Sequence, residues 1–265
     1  LLYLTTTSLG VTINGQTNWL AMGPVDVQPS EVAKFATVIW AAHVYANKDR
    51  LLGSFPHILI PVMIPGVAAV IGLVLWGRDL GTALVLMAIA MGLLWVVGTP
   101  KKYFGISLLG LAVLALVLAA TDTERLSRLT TFTDPLATYH DDGWQPAHGL
   151  FALASGGIFG QGIGASQQKW GNLPEAYTDY IFAVLGEELG LVGTLLVICL
   201  FLGLAYAATR VALASDEPFV RYASFGIVVW LMGQMLIKIG MVLALLPVIG
   251  VPLPLVSHGG SALVP

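Results

Sequence analysis

The chain has 265 residues, of which 57% are hydrophobic and only 10% charged, with 12 Lys and Arg against 15 Asp and Glu for a net charge of −3. Its mean hydropathy is +0.83, whereas a soluble domain gives about 25% of its residues to charge, so the sequence reads as an all-α polytopic membrane protein. Sparse basic residues exclude nucleic acid as a partner, and the single Cys199 excludes a disulfide framework or a cysteine-based metal site within the chain.

Leu1 falls inside an apolar run with no initiator Met, and Pro265 falls where another run is opening. The expectation is therefore a single membrane domain over 1–265, truncated at both ends, whose intact form has more spans. A polar stretch, Asn14–Glu31, precedes the first long run. Its end, Gln28-Pro29-Ser30-Glu31, is a helix start, with Pro in the first turn and an acid near the N-terminus. Glu31 and Lys34 are three apart and can meet on one helix face, which leaves a structural role and substrate contact equally open.

Apolar runs follow at roughly 32–46, 58–76, 80–98 and 103–120, most of them near the ~20 residues a helix needs to cross hydrocarbon. Between the second and third lies the charged turn Arg78-Asp79-Leu80-Gly81-Thr82. Arg78 can pair with Asp79, attract an anionic headgroup or anchor at the interface, and Asp79 can cap the next helix. The connection 121–179 is long enough to be functional rather than a mere link. Its middle, Gly149–Gly164, is apolar, glycine-rich and too short for a span, which suggests a half-inserted or interfacial element whose backbone protein or water must satisfy.

The run at roughly 180–206 is entered through Thr178 and Asp179. Asp179 is the best candidate for a reactive carboxylate, because partial desolvation and the amides of a helix N-terminus act on it in opposite directions and can tune a proton acceptor. The competing reading, a plain helix cap at Thr178 or Asp179, is the commoner use of such residues. Glu187 and Glu188 lie two turns further, and intramembrane carboxylates mark function by default. Pairing with Lys238 or Lys34 is the structural alternative for at least one of them. Lys238 lies deep in the last run, roughly 222–248, and requires a partner. Beyond it, Pro252–Ser261 offers hydroxyls, among them Ser257 and Ser261, and backbone amides suited to an anion.

Phosphate-loop, His-Glu-x-x-His and paired-cysteine signatures are absent. His43, His57, His140, His148 and His258 are too scattered to define a metal site, so a metal stays unassigned. Loops at 47–55, 98–102 and 207–221 carry Lys48, Arg50, Lys101, Lys102, Arg210 and Arg221. The opposite side, 11–28, 77–79, 121–179 and 250–261, is longer and carries Arg78, Arg125, Arg128 and Lys169. The positive-inside rule makes that second side extracytoplasmic, which gathers Asn14–Glu31, Arg78–Thr82, the large loop 121–179 and Pro252–Ser261 on the outer face.

The residues Gln28-Pro-Ser-Glu31, Asp79-Leu-Gly-Thr82, Gly156-Gly-Ile-Phe-Gly160-x-Gly162, Gln168-Lys169, Leu173-Pro-Glu175, Thr178-Asp179-Tyr-Ile-Phe182, Gly186-Glu-Glu-Leu-Gly190 and Pro252-Leu-Pro-Leu-x-Ser257-x-Gly-Gly-Ser261, in this order over nearly the whole chain, resemble the SEDS family of shape, elongation, division and sporulation proteins. Lys169-Trp170-Gly171, Asp216-Glu-Pro-Phe219 and Pro252–Val256 are more like its division branch than its elongation branch. The resemblance implies a SEDS-type helical bundle of ten spans when intact, about seven of them represented here, in the bacterial cytoplasmic membrane. It implies a peptidoglycan glycosyltransferase that polymerises lipid II into β-1,4-linked strands with inversion, for septal wall synthesis, with Asp179 as general base.

On the same resemblance, Lys169, Glu175, Thr178, Arg78, Asp79, Ser257 and Ser261 would contact substrate, while Glu31, Lys34, Glu187, Glu188 and Lys238 support the site. A divalent cation, Mg or Mn, would suit the diphosphate, though no cofactor is fixed and no cage is evident. Implied partners are a class B penicillin-binding protein of the FtsI kind and the regulators FtsQ, FtsL and FtsB. An elongation-type polymerase and a lipid II translocator are the alternative readings. The chain departs from the family pattern at Gly77-Arg78 (usually Gln-Pro), at Lys238 (usually Asn) and at His258 (usually Tyr).

Overall fold

The computed structural model describes residues 2–5, 10–13, 16–22, 25–120, 127, 131–132 and 134–258. The elements are α1 (Leu2–Thr5), strands β1 (Gly10–Ile13), β2 (Gln16–Met22) and β3 (Val25–Val27), then helices α2 (Pro29–Asn47), α3 (Phe55–Trp76), α4 (Leu80–Val96), α5 (Lys101–Ala120), α6 (Trp144–Gly156), α7 (Ile181–Ala214) and α8 (Pro218–Val242). Helices α3, α5, α7 and α8 are each long and apolar enough to cross a membrane, and α4 is a shorter apolar helix. The chain is a multi-pass helical membrane protein. The small antiparallel meander β1-β2-β3, with Leu20 paired to both Gly10 and Val27, is an addition that the helical periodicity did not announce.

Two compact units divide the chain: Leu1–Val117 with Ala205–Gly233, and Leu118–Leu204 with Gln234–Leu263. In the first, α4 is the most enclosed helix, burying Ala83, Val85, Leu86, Met87, Ile89, Ala90, Leu93 and Leu94. Glycines let helices approach. A Cβ at Gly92 would meet the Val229 side chain at 2.6 Å, and one at Gly226 would meet Val38 at 2.7 Å, so α8 crosses α4 and α2 where small residues permit close backbone contact. Helix α3 leaves helical geometry at Ile60 and Ile64, each immediately before a proline, which disfavours the α conformation in its predecessor. Helix α5 buries none of its residues, as suits a span whose neighbours are lipid.

The sequence motifs of this unit have local structural roles. Lys34 is fully buried and donates to Glu31 Oε1 at 2.6 Å, the face-sharing expected of residues three apart, and it also lies 5.8 Å from the centre of the Trp230 ring. Asp79 is the N-cap of α4. Its Oδ1 accepts from the Thr82 amide at 2.8 Å and its Oδ2 from the Thr82 hydroxyl at 2.6 Å. Substituting Asp79 by Ala should therefore lower stability by about 1–2 kcal/mol, the upper part of the range for a lost cap, as read from thermal unfolding in detergent.

The second unit holds most of the 121–179 connection, α6, the first part of α7 and the last turns of α8. Glycines again set distances: a Cβ at Gly149 would overlap the Tyr180 ring, and one at Gly156 the backbone of Gly186. The start of α7 therefore seats directly on α6.

Candidate active site

Helix α7 is broken at Gly190, whose φ of 68° and ψ of −163° lie outside helical geometry. The break leaves the carbonyls of Glu187 and Glu188 without their usual partners four residues on, the amides of Leu191 and Val192. The glycine-rich segment after α6 takes both sets. Gln161 N donates to Glu187 O at 2.9 Å and Gly162 N to Glu188 O at 3.0 Å, while Leu191 N donates to Gly157 O at 2.9 Å and Val192 N to Ile158 O at 3.1 Å. Four bonds exchanged between the two segments satisfy the backbone that a broken membrane helix would otherwise strand. The glycines are required here, because a Cβ on Gly160 would collide with the Glu188 carbonyl, and one on Gly190 with the Gly160 amide and Ile158 carbonyl.

The two glutamates above this clasp turn their side chains to the loop that follows it. Glu187, 1% exposed, accepts from Ser166 Oγ at 2.5 Å and from the amides of Gln167 at 2.9 Å and Gln168 at 3.4 Å. Glu188 pairs with Lys169, whose ammonium also lies over the Trp170 ring at 5.5 Å. The structural pairing anticipated for these acids exists, but with other partners: neither reaches Lys238 or Lys34, because those lysines are engaged by Asp179 and by Glu31. Lys169, a candidate for the diphosphate, is largely buried in its pair with Glu188.

A brace from α6 fixes the same loop. His148 Nδ1 is 2.6 Å from Gln168 Oε1 and its Nε2 is 3.1 Å from Tyr139 Oη; Trp144 Nε1 donates to Asn172 O at 2.7 Å, and Gln145 Nε2 to Pro174 O at 3.2 Å. Ser166 had no mark in the sequence beyond its place beside the Gln168-Lys169 motif, and His148 none beyond being one of five scattered histidines.

Asp179 stands at the end of the turn that leads into α7. The Glu175 carbonyl accepts from the amides of Asp179 at 2.9 Å and Tyr180 at 3.0 Å, and the Glu175 carboxylate accepts from Thr178 Oγ1 at 2.6 Å. From the other side, Ser257 Oγ donates to Thr178 O at 2.8 Å while accepting from Leu253 N at 2.8 Å, and His258 N donates to Tyr177 O at 2.9 Å. The Asp179 carboxylate does not cap α7. Its Oδ1 accepts from Lys238 Nζ at 2.6 Å, with Lys238 fully buried and the Asp179 side chain 20% exposed.

The structure thus gathers Asp179, Thr178, Glu175, Ser257 and Lys238 in one cluster, and Lys169, Glu187 and Glu188 in an adjoining one. Ser257, expected to contact substrate, is fully buried, and its hydroxyl pins the Asp179 turn. Arg78, exposed, and Asp79, Glu31 and Lys34, buried, belong to the first unit. Ser261 lies outside the described residues. Among the described residues no group of three or more His, Cys, Asp or Glu side chains could hold a metal ion.

The family model for the FtsW, RodA and SpoVE group, described as cell cycle protein, matches residues 1–265. A probable peptidoglycan glycosyltransferase FtsW from Mycobacterium tuberculosis is 39% identical over 254 residues, covering 96% of this chain and 48% of that protein. The same-named protein of Alkalilimnicola ehrlichii is 40% identical over 260 residues, covering 97% and 64%. This chain therefore spans about half to two thirds of the length of these curated relatives.

Among solved structures, a chain from a study of structural coordination of polymerization and crosslinking by a peptidoglycan synthase complex aligns with TM-score 0.72 at 27% identity. It covers 99% of this chain and 74% of that one. The Thermus thermophilus rod shape determining protein RodA aligns with TM-score 0.65 at 26% identity, covering 99% and 70%. With the family model matched from end to end, the chain belongs to the SEDS family of FtsW, RodA and SpoVE cell cycle proteins.

Proposed function

We propose that this protein is a peptidoglycan glycosyltransferase of the division type, polymerising lipid II at the outer face of the bacterial cytoplasmic membrane. The observation that carries the reading is Asp179: a carboxylate at the mouth of a membrane helix, on a turn fixed by Glu175 and Ser257, with one oxygen ion-paired and the side chain still partly open. That is what a general base toward a lipid-borne sugar requires, since the membrane boundary is where the lipid anchor and its water-soluble headgroup meet. The relatives named FtsW support the division branch. The distribution of basic loops supports an extracytoplasmic site.

In the mechanism, Asp179 takes the proton of the acceptor sugar's 4-hydroxyl as that oxygen attacks the donor's anomeric carbon. The new carbon–oxygen bond forms on the face opposite the departing oxygen, so the linkage is β-1,4 and the centre inverts. The bond to the diphosphate breaks with its electron pair, and the undecaprenyl diphosphate leaves. The protein's contribution is placement and proton transfer, for which a positioned base supplies about 10²–10⁴-fold. The clasp between 157–162 and 187–192 and the Glu187 and Glu188 bonds hold the loop from which this base is presented.

A class B penicillin-binding protein that crosslinks the new strands is the partner this reading calls for, in keeping with the synthase complex among the structural neighbours. FtsQ, FtsL and FtsB would be the division regulators. The test is incubation of the full-length protein and its transpeptidase partner with lipid II, followed by separation of glycan products. Glycan strands are the expected result. Absence of glycan together with movement of lipid II across the bilayer of proteoliposomes would establish the translocator instead.

A further inference from the structure

Lys238 sits on α8, a helix apolar enough to span a membrane, with none of its side chain exposed. Its ammonium is 2.6 Å from Asp179 Oδ1, 3.4 Å from the Ile249 carbonyl and 3.9 Å from Met241 Sδ. A neutral side chain would fill the same volume without dehydrating a charge, so a buried ammonium here is costly unless its partner gives it a use. The backbone of the Asp179 turn does not need that partner, since Glu175 O, Ser257 Oγ and His258 N already hold it. What those bonds leave undetermined is the rotation of the Asp179 carboxylate itself.

We infer that Lys238 is a positioning residue for Asp179: it clamps Oδ1 from inside the bundle and leaves Oδ2 as the oxygen that receives the acceptor's proton. This inference rests on the polymerase reading. Lys238 holds Asp179 through Oδ1 and acts through the direction it imposes on the base. A reacting group misplaced by about 1 Å can lose on the order of 10²-fold in rate, so the effect belongs in kcat.

The test uses the full-length protein with its transpeptidase partner and lipid II. Lys238→Met should lower kcat at least about tenfold while KM for lipid II stays within about twofold. Its thermal midpoint should fall less than that of Asp179→Ala, because the charge left unpaired, the Asp179 carboxylate, is one-fifth exposed and can be hydrated. Lys238→Gln, which keeps an N–H donor on a side chain one atom shorter, should recover part of the lost kcat; it also serves if the Met variant fails to fold.

Wild-type kcat in Lys238→Met would overturn the positioning role, as would a fall in kcat matched by an equal fall in folded protein, or Gln no better than Met. The two readings separate cleanly. An active wild type, an inactive Asp179→Asn and an unaffected Lys238→Met refute positioning alone, whereas a wild type that makes no glycan refutes the polymerase and the positioning with it.

Discussion

Replacing Asp179 by Asn should reduce the rate of lipid II polymerisation by about 10²–10⁴-fold, the contribution of a well-placed general base, while leaving the protein folded. The amide oxygen of Asn can still accept from Lys238 Nζ, now 2.6 Å from Oδ1, so the hydrogen bond persists and only the proton-accepting carboxylate is lost. Asp179→Ala should behave differently. It removes both the counter-charge and the hydrogen-bond acceptor of the fully buried Lys238 ammonium, whereas Asn removes only the charge; breaking a buried pair on one side costs about 3–5 kcal/mol, discounted here because the Asp179 side chain is one-fifth exposed. Initial rates of glycan formation and thermal midpoints, measured on both variants, distinguish the outcomes: Asn loses activity with the smaller loss of stability, and Ala loses activity with the larger. An Asn variant that polymerises at the wild-type rate would place the base elsewhere.

The second large effect is structural. Gly190→Ala should destabilise the protein by about 4 kcal/mol or more: backbone in this region costs any side chain about 1–3 kcal/mol, and the intruding Cβ collides with the Gly160 amide and the Ile158 carbonyl. Relief of that collision must open some of the four bonds between 157–162 and 187–192, each with a net value of about 1 kcal/mol. Gly157 is the internal comparison. Its φ of 56° and ψ of −143° are in the same glycine region, but a Cβ there meets nothing within 4 Å. Gly157→Ala should therefore lose only the conformational part, about 1–3 kcal/mol, and equal losses at the two positions would show that close approach is not what demands glycine at Gly190.

Much of this architecture was legible in the residues. Length of apolar runs marked the spans, and the Asp79 and Glu31–Lys34 motifs performed the local roles their spacing allowed, because caps and neighbouring pairs on one helix face depend on few residues close in sequence. The partners of Glu187, Glu188 and Lys238 were not legible. They are separated by long stretches of chain, and four acids or bases in apolar surroundings can be matched in several ways that composition does not rank. The meander at 10–27 went unseen for a different reason: its strands are short, and the alternation in Val11-Thr12-Ile13 and Val25-Asp26-Val27 runs for only three residues each. Gly156, Gly160, Gly162 and Gly190 did carry the signal of the clasp, but a glycine announces only that backbone comes close, not which backbone.

The broken turn at Gly190 also bears on the entropy of the site. Because 157–162 bonds to 187–192, the chain leaves the clasp and returns to it, and everything between, including Lys169, Glu175 and Asp179, is a closed ring rather than a free loop. The entropic cost of bringing such ends together rises only slowly with the length enclosed, and it is met by backbone bonds distant from the reacting carboxylate. Residues within the ring are therefore free to vary with the substrate's needs without each having to supply the energy of its own ordering.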